Sequence, residues 1–161
     1  MPLQVGSKAP DFQLKSKQPS GLEDKKLSSN YGKTNTLVLF VPAAFTPVCT
    51  STFCNFSKPE FQSYKSAEIW GISSDTPFTQ EAWAKNAGIE ITLLSDFDKR
   101  VAKQYDMYLE DFRGMGSCTG RGAYIVDKDG IIQYAEKTPI DQQPNWNEIK
   151  KKLDELASKA A

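Results

Sequence analysis

The 161-residue chain is 39% hydrophobic and 25% charged, a composition that builds a packed core and argues against disorder. Lys plus Arg equals Asp plus Glu at 20 each, so no global basic or acidic field points to nucleic acid or to a membrane surface. Histidine is absent, which excludes Ser-His-Asp and Cys-His catalytic pairs.

The length predicts one domain over residues 1–161. No apolar run approaches the roughly 18–20 residues of a membrane span. Met1 to Gly6 lacks a charged segment followed by an apolar one, so no secretory signal is visible and a cytoplasmic setting is expected. In that setting three cysteines read as free, catalytic or transiently paired. They are too few, and lack the two-by-two spacing, for a zinc site.

Along the chain, Val5 to Phe12 is an extended opening in which Pro10 biases Ala9 away from helix. Phe12 and Leu14 alternate with polar residues as in a short strand. Lys15 to Lys33 is polar, with Pro19, Gly21, Asn30 and Gly32, and reads as a loop or hairpin with at most a helical turn. Thr36-Leu-Val-Leu-Phe40 is a buried strand by its β-branched and apolar run. Val41 to Val48, with two prolines and two alanines, is a loop. The polar-apolar pattern that follows predicts a helix to about Tyr64, kinked or restarted at Pro59.

Ile69 to Ser73 is a short strand. Ser74-Asp-Thr-Pro77 is a helix start, with capping residues before a proline at the first helical position. Phe78, Ala82, Trp83 and Ala87 are its predicted inner face and Gly88 its end. Ile91 to Leu94 is a strand, and Asp96 to Tyr105 a short helix with Val101, Ala102 and Tyr105 inward. Asp106 to Gly120 shows little periodicity and reads as irregular. Gly122–Val126 and Ile131–Ala135 flank Asp127-Lys-Asp-Gly130, a hairpin signal. A last helix starts near Asn145 with Glu148 as capping-box partner, and Trp146, Ile149, Leu153 and Leu156 inward. Strands alternating with helices, closed by a hairpin and a helix, predict an α/β fold: a central mixed sheet flanked by helices on both faces.

Cys49 falls where strand hands over to helix. The unpaired N–H groups and positive dipole end of a helix's first turn favour an anion, and a thiolate is the reactive form of a thiol. With histidine absent, its activation rests on the helix terminus, an arginine or lysine, or hydroxyls. The residues alone leave both a nucleophilic and a core cysteine open.

Pro42-Ala-Ala-Phe-Thr46-Pro-Val-Cys49 matches the peroxiredoxin signature Pro-x-x-x-Thr/Ser-x-x-Cys. Arg121, followed by Tyr124-Ile-Val-Asp127 and Gly130, is similar to that family's later arginine-plus-strand motif. Val5-Gly6 with Ala9-Pro-Asp-Phe12, Ser73-Ser-Asp75 and Leu93-Leu-Ser-Asp96 resemble its other motifs in order. The resemblance, to the AhpC/TSA superfamily, implies a thioredoxin-like fold and thiol-dependent reduction of hydrogen peroxide and organic hydroperoxides. Under it Cys49 is the peroxidatic nucleophile, attacking the peroxide and becoming a sulfenic acid. Arg121 stabilises the thiolate and the leaving oxygen, Thr46 hydrogen-bonds peroxide and thiolate, and Pro42 shields the site. Many relatives carry Glu or Gln three residues after the reactive cysteine to hold arginines; here Thr52 stands there, so that role does not transfer.

Cys54, five residues on, has the spacing of Q-type (bacterioferritin-comigratory) members, which implies that it resolves the sulfenic acid as an intramolecular disulfide. On an intact helix the two Cα atoms are roughly 8–9 Å apart, beyond the ~7 Å reach of a disulfide, so the bridge requires the helix start to unwind. Phe45-Thr46 and the glycine-rich stretch before Arg121 also resemble E-type, one-cysteine members, in which an external thiol resolves. Cys118 is a second candidate resolver, with no family spacing behind it. The resemblance implies no metal, flavin or haem cofactor. Expected partners are a hydroperoxide substrate and thioredoxin, glutaredoxin or a low-molecular-weight thiol, in a monomer or homodimer. The rival readings are a dithiol-disulfide exchange protein and a redox sensor that uses Cys49 as a switch.

Overall fold

Every residue of β3 (Asn35–Phe40) is buried, and the fold is built outward from it. In the computed structural model, which describes residues 2–159, β3 pairs in parallel with β4 (Ala67–Ser73) on one side. On its other side it pairs antiparallel with β8 (Arg121–Val126). A strand with neighbours on both sides and helices above and below sees no water, which is why its sequence is an apolar run without alternation. The seven-stranded sheet is completed by β1 (Gln13–Gln18), β2 (Gly21–Lys26), β5 (Thr92–Ser95) and β9 (Ile132–Thr138), in the order β2-β1-β5-β4-β3-β8-β9. The parallel pairs β3–β4 and β4–β5 are joined through helices, as parallel connections require.

Alternate residues of β3 feed two cores. Leu37 and Leu39 join Phe53 of α1 (Pro47–Phe56), Phe61 of α2 (Pro59–Gln62), Trp83 of α3 (Pro77–Ala87) and Ile149 of α5 (Trp146–Lys159). Val38 and Phe40 join Leu27 of a 3-10 turn (Leu27–Asn30), Val101 and Ala102 of α4 (Arg100–Gln104), Tyr105 and Tyr124. The sheet is therefore mixed and covered on both faces, as the alternation of elements predicts.

The polar stretch after Leu14 forms the β1–β2 hairpin, and Asp127-Lys-Asp-Gly130 turns β8 into β9. In that turn Asp127 Oδ1 accepts from the N–H groups of Asp129 and Ile131, and Gly130 takes a φ of 79°. Pro59 does not kink one long helix. α1 stops at Phe56 and Pro59 opens α2, because a proline cannot donate into the preceding turn but fits a first helical position.

Four sequence expectations are corrected. Trp83 of α3 is buried as expected, but Phe78 and Ala82 are exposed, and Gln80, 2% exposed, turns inward, its Nε2 donating to Ser73 Oγ and Leu94 O. A buried amide that ties the helix to two strands outweighs the hydrophobic spacing that singled out Phe78. Asp106 to Gly120 is not wholly irregular: β6 (Tyr108–Leu109) and β7 (Cys118–Thr119) pair antiparallel around a turn closed by Phe112 N donating to Gly116 O. Strands of two residues are too short to leave a period in sequence. The short helix α4 begins only at Arg100, because Asp96 accepts from the N–H groups of Val101 and Ala102 ahead of its first turn. At α5, Asn145 Oδ1 accepts from Glu148 N, but it is Glu136 of β9 that accepts from Asn145 N, so the second half of the capping box comes from the sheet.

Gly71 of β4 lies under α1. A Cβ built on it would stand 2.6 Å from Phe53 Cζ and 2.9 Å from Ile91 Cδ1, both well inside contact distance. Gly71→Ala is therefore expected to destabilise the fold by about 1–3 kcal/mol through overpacking. Urea unfolding checks this: the midpoint falls with the slope unchanged. A midpoint equal to the parent's would mean that Phe53 does not press on β4.

Candidate active site

Cys49 occupies the third position of α1, on its first turn. Thr46 is the N-cap in extended conformation, with φ −83° and ψ 149°, and Pro47 opens the helix with a pre-set φ and no N–H to leave unsatisfied. The N–H groups of Val48 and Cys49 lie in the turn that has no intrahelical acceptors. The Cys49 side chain is fully buried at the edge of the core that holds Val41, Phe53 and Phe56.

The strand register delivers the arginine. Phe40 is opposite Gly122 across the β3–β8 pair, so the residue before Gly122 stands beside the point where the chain leaves β3 for the Cys49 loop. That residue is Arg121, 2% exposed. Its Nη2 donates to Cys49 Sγ at 3.1 Å, and its Nε donates to the carbonyl of Ile140 at 3.0 Å. Its Nη1 is buried without a hydrogen-bond partner among the described residues. A guanidinium with one arm on the sulfur and one arm unused is a donor arranged for a second acceptor next to that sulfur.

The loop between β3 and α1 is held in a constrained shape. Phe45 has a φ of +65°, an outlier for a bulky residue that costs of order 1–3 kcal/mol. Two contacts hold it there: Ala44 N donates to Asp75 Oδ2 at 2.8 Å, and Thr46 Oγ1 donates to Ala43 O at 2.8 Å. Ser73 Oγ donates to the same Asp75 oxygen. Thr46 thus spends its hydrogen on the loop, and its lone pairs remain for an incoming O–H. Pro42 is buried at the end of β3, and its carbonyl accepts from Ser74 Oγ at 3.4 Å.

Arg121 and Cys49 are thus in contact, and Pro42 and Thr46 lie on the loop that leads from β3 into α1. The other two cysteines do not point at Cys49 Sγ. Cys54 is half-buried on the same unbroken helix and its thiol donates to Ala87 O at 3.4 Å. Cys118 lies in β7, 7% exposed, with its thiol on Thr119 O at 3.2 Å. Burial, and next the charge of Cys49 nearby, push Cys118 up to about 11 from an ordinary 9.0. Thr52 is buried and its hydroxyl donates to Val48 O within α1, so it does not hold the arginine.

Two groups that shape the site are not singled out as site residues by the sequence, although Ser73-Ser-Asp75 is among the motifs that carry the family resemblance. Asp75 reads as part of a helix start, yet its carboxylate ties down the Cys49 loop. Ile140 acts through its backbone carbonyl, which any residue could supply. Among the described residues no group of three or more His, Cys, Asp and Glu side chains is placed to hold a metal ion.

Residues 5–135 match the model of the AhpC/TSA family. A peroxiredoxin of Thermoplasma volcanium is 34% identical over 158 residues, covering 92% of this chain and 72% of that protein. The chloroplastic peroxiredoxin Q of Populus jackii is 33% identical over 153 residues, covering 94% and 68%. Among solved structures, a peroxiredoxin-like protein from Aquifex aeolicus superposes with a TM-score of 0.85 at 26% identity, over 97% of this chain and 89% of that one. The reduced 2-Cys peroxiredoxin of Plasmodium vivax superposes with a TM-score of 0.83 at 27% identity, over 98% and 99%.

The environment of Cys118 has a measurable consequence. Iodoacetamide reacts with the thiolate, so Cys118 in the native protein is expected to label slowly at pH 8 and to accelerate only toward pH 11. In denaturant its midpoint returns to about 9. Because the folded thiol keeps its proton after the unfolded one has lost it, the group subtracts stability as pH rises between those values. Equal labelling of native and denatured protein at pH 8, followed by peptide mass, would contradict the buried placement.

Proposed function

The chain belongs to the AhpC/TSA family of peroxiredoxins, and from that membership we propose the roles of its residues. The protein is a thiol-dependent peroxidase. Cys49 is its nucleophile: the thiolate attacks the terminal peroxide oxygen, the O–O bond breaks, and Cys49 becomes a sulfenic acid. The leaving oxygen takes a proton and departs as water or alcohol. The observation that carries this reading is the 3.1 Å contact from Arg121 Nη2 to a fully buried Cys49 Sγ at a helix N-terminus. There the guanidinium opposes the charge on sulfur, and the unused Nη1 meets the charge developing on the leaving oxygen. Thr46 accepts from the peroxide O–H and aligns the O–O bond, and Pro42 covers the site without offering an N–H.

Cys54 resolves the sulfenic acid: its thiol displaces hydroxide from Cys49 sulfur, releasing water and leaving a Cys49–Cys54 disulfide. Cys118 is the weaker candidate, since its thiol is buried and pushed up to about 11, which leaves almost no thiolate at neutral pH. A dithiol such as thioredoxin or glutaredoxin, or a low-molecular-weight thiol, returns the enzyme to the reduced state. The proposed role is antioxidant defence and redox homeostasis in the cytoplasm.

The test is one equivalent of hydrogen peroxide added to the reduced protein, followed by intact mass and cysteine mapping. A loss of about two hydrogens linking Cys49 to Cys54 is expected in the parent, replaced by oxygen on Cys49 in Cys54→Ser. Oxygen on Cys49 in the parent, with the other thiols free, would transfer resolution to an external thiol. Cys49→Ser abolishes peroxide consumption, and Arg121→Gln lowers its rate by roughly 10²–10³-fold, the usual loss on removing a charge-stabilising donor. Slow, unselective oxidation would overturn the assignment of Cys49.

A further inference from the structure

One side of α1 is fastened to α3 and the turn that follows it by a row of polar contacts. Trp83 Nε1 donates to Thr50 Oγ1 at 3.0 Å, Cys54 Sγ to Ala87 O at 3.4 Å, and Glu90 N to Ser57 Oγ at 2.9 Å. Positions 50, 54 and 57 fall four and three residues apart, so they form one stripe of the helix. Positions 83, 87 and 90 step along the facing segment in the same way. A different stripe, Cys49, Phe53 and Phe56, faces the core. Cys54 therefore belongs to the seam and not to the stripe of Cys49.

The seam is anchored at both ends. Trp83 is fully buried with its ring 5.2 Å from that of Phe53, so its N–H is a fixed donor. Ser57 Oγ also donates to Phe53 O at 2.7 Å, closing the end of α1 while it accepts from Glu90. In the middle, Ala87 is the last residue of α3, where a carbonyl has no intrahelical donor, and the Cys54 thiol supplies one.

This arrangement opposes resolution. For Cys54 to reach Cys49 its thiol must leave Ala87 O, and α1 must unwind between the two cysteines, a segment that contains Thr50. We propose that Trp83 and Ser57 are positioning residues whose contacts with α1 set how fast Cys54 reaches the Cys49 sulfenic acid. They thereby divide that acid between disulfide and over-oxidation. The inference rests on Cys49 and Cys54 as peroxidatic and resolving residues. The two fates balance differently: Cys49–SOH and Cys54–SH give the disulfide and water, whereas Cys49–SOH and a second hydrogen peroxide give Cys49–SO₂H and water. The first is independent of peroxide and the second rises with it, so the seam fixes the peroxide concentration at which the enzyme inactivates.

The experiment compares the parent, Trp83→Phe and Ser57→Ala. Trp83→Phe keeps a ring against Phe53 and deletes the donor, and Ser57→Ala acts at the far end should the first variant fail to fold. Each is reduced, exposed to a series of hydrogen peroxide concentrations, and its Cys49 divided by mass spectrometry into disulfide and sulfinate. Each variant is expected to need about five-fold more peroxide for half sulfinate, the equivalent of one hydrogen bond lost from the closed helix. The shift vanishes in a Cys54→Ser background, where there is no resolution to accelerate. A parent that forms the disulfide while neither variant moves the half-point, or both lower it, overturns the seam alone. A parent that forms no Cys49–Cys54 disulfide at any concentration overturns the resolving role and the seam with it.

Discussion

The contact between Arg121 and Cys49 is the constraint on which the site depends. A guanidinium taken out of water is costly unless its charge and its donors are met. Here the sulfur and the carbonyl of Ile140 meet two of them, and Nη1 has no partner among the described residues. The arrangement holds because neither partner is free to move. Arg121 begins β8, whose antiparallel pairing with β3 fixes it beside the exit of that strand. Cys49 is fixed by a helix that starts a few residues beyond the same exit. Antiparallel pairing in an otherwise parallel centre is thus a functional feature, since it brings the start of one strand to the end of another.

The two sides of Cys49 are built for different tasks. Upstream, the loop is over-determined: a strained Phe45 is clamped by Asp75 on Ala44 and by Thr46 on Ala43. That rigidity suits a displacement in which the sulfur, the O–O bond and the guanidinium must line up. Downstream, α1 packs Phe53 and Phe56 into the core, and its rim is held to α3 by single neutral hydrogen bonds, each worth about 1 kcal/mol. Under the proposed mechanism those rim bonds stay closed while peroxide is attacked and release afterwards. Order on one side and releasable order on the other fit the two proposed steps, a precise attack by Cys49 and a resolution by Cys54 that needs the helix undone.

Much of this was legible in the chain. The run from Thr36 to Phe40, Pro47 ahead of a helix, Thr76-Pro77 and Asp127-Lys-Asp-Gly130 each carry a local physical signal, and each element stands where that signal puts it. What escaped is long-range and polar. Gln80 turns inward because Ser73 and Leu94 accept its amide, while Phe78 in a hydrophobic register lies outside. Glu136 caps α5 from across the sheet, and Asp75 clamps a loop that lies 31 residues earlier in the chain. Hydrophobic period reports which face is apolar. It carries nothing about which polar groups a fold brings together.

Thr52 shows how the site manages without an acidic or amide neighbour for its arginine. Its hydroxyl turns back onto Val48 O, so the interior of α1 offers Arg121 nothing at that position. Orientation of the guanidinium passes instead to Ile140, which lies beyond the residues that match the family model. The segment that carries Ile140 is itself held at several points. Thr138 Oγ1 donates to Gln142 O, Asn55 of α1 donates to Gln143, and Glu136 accepts from Asn145 at the start of α5. α5 then seals the arrangement through Ile149, Leu153 and Leu156 in the same core as Phe53. The C-terminal helix therefore belongs to the frame of the candidate site: it helps hold the backbone segment whose Ile140 carbonyl accepts from Arg121.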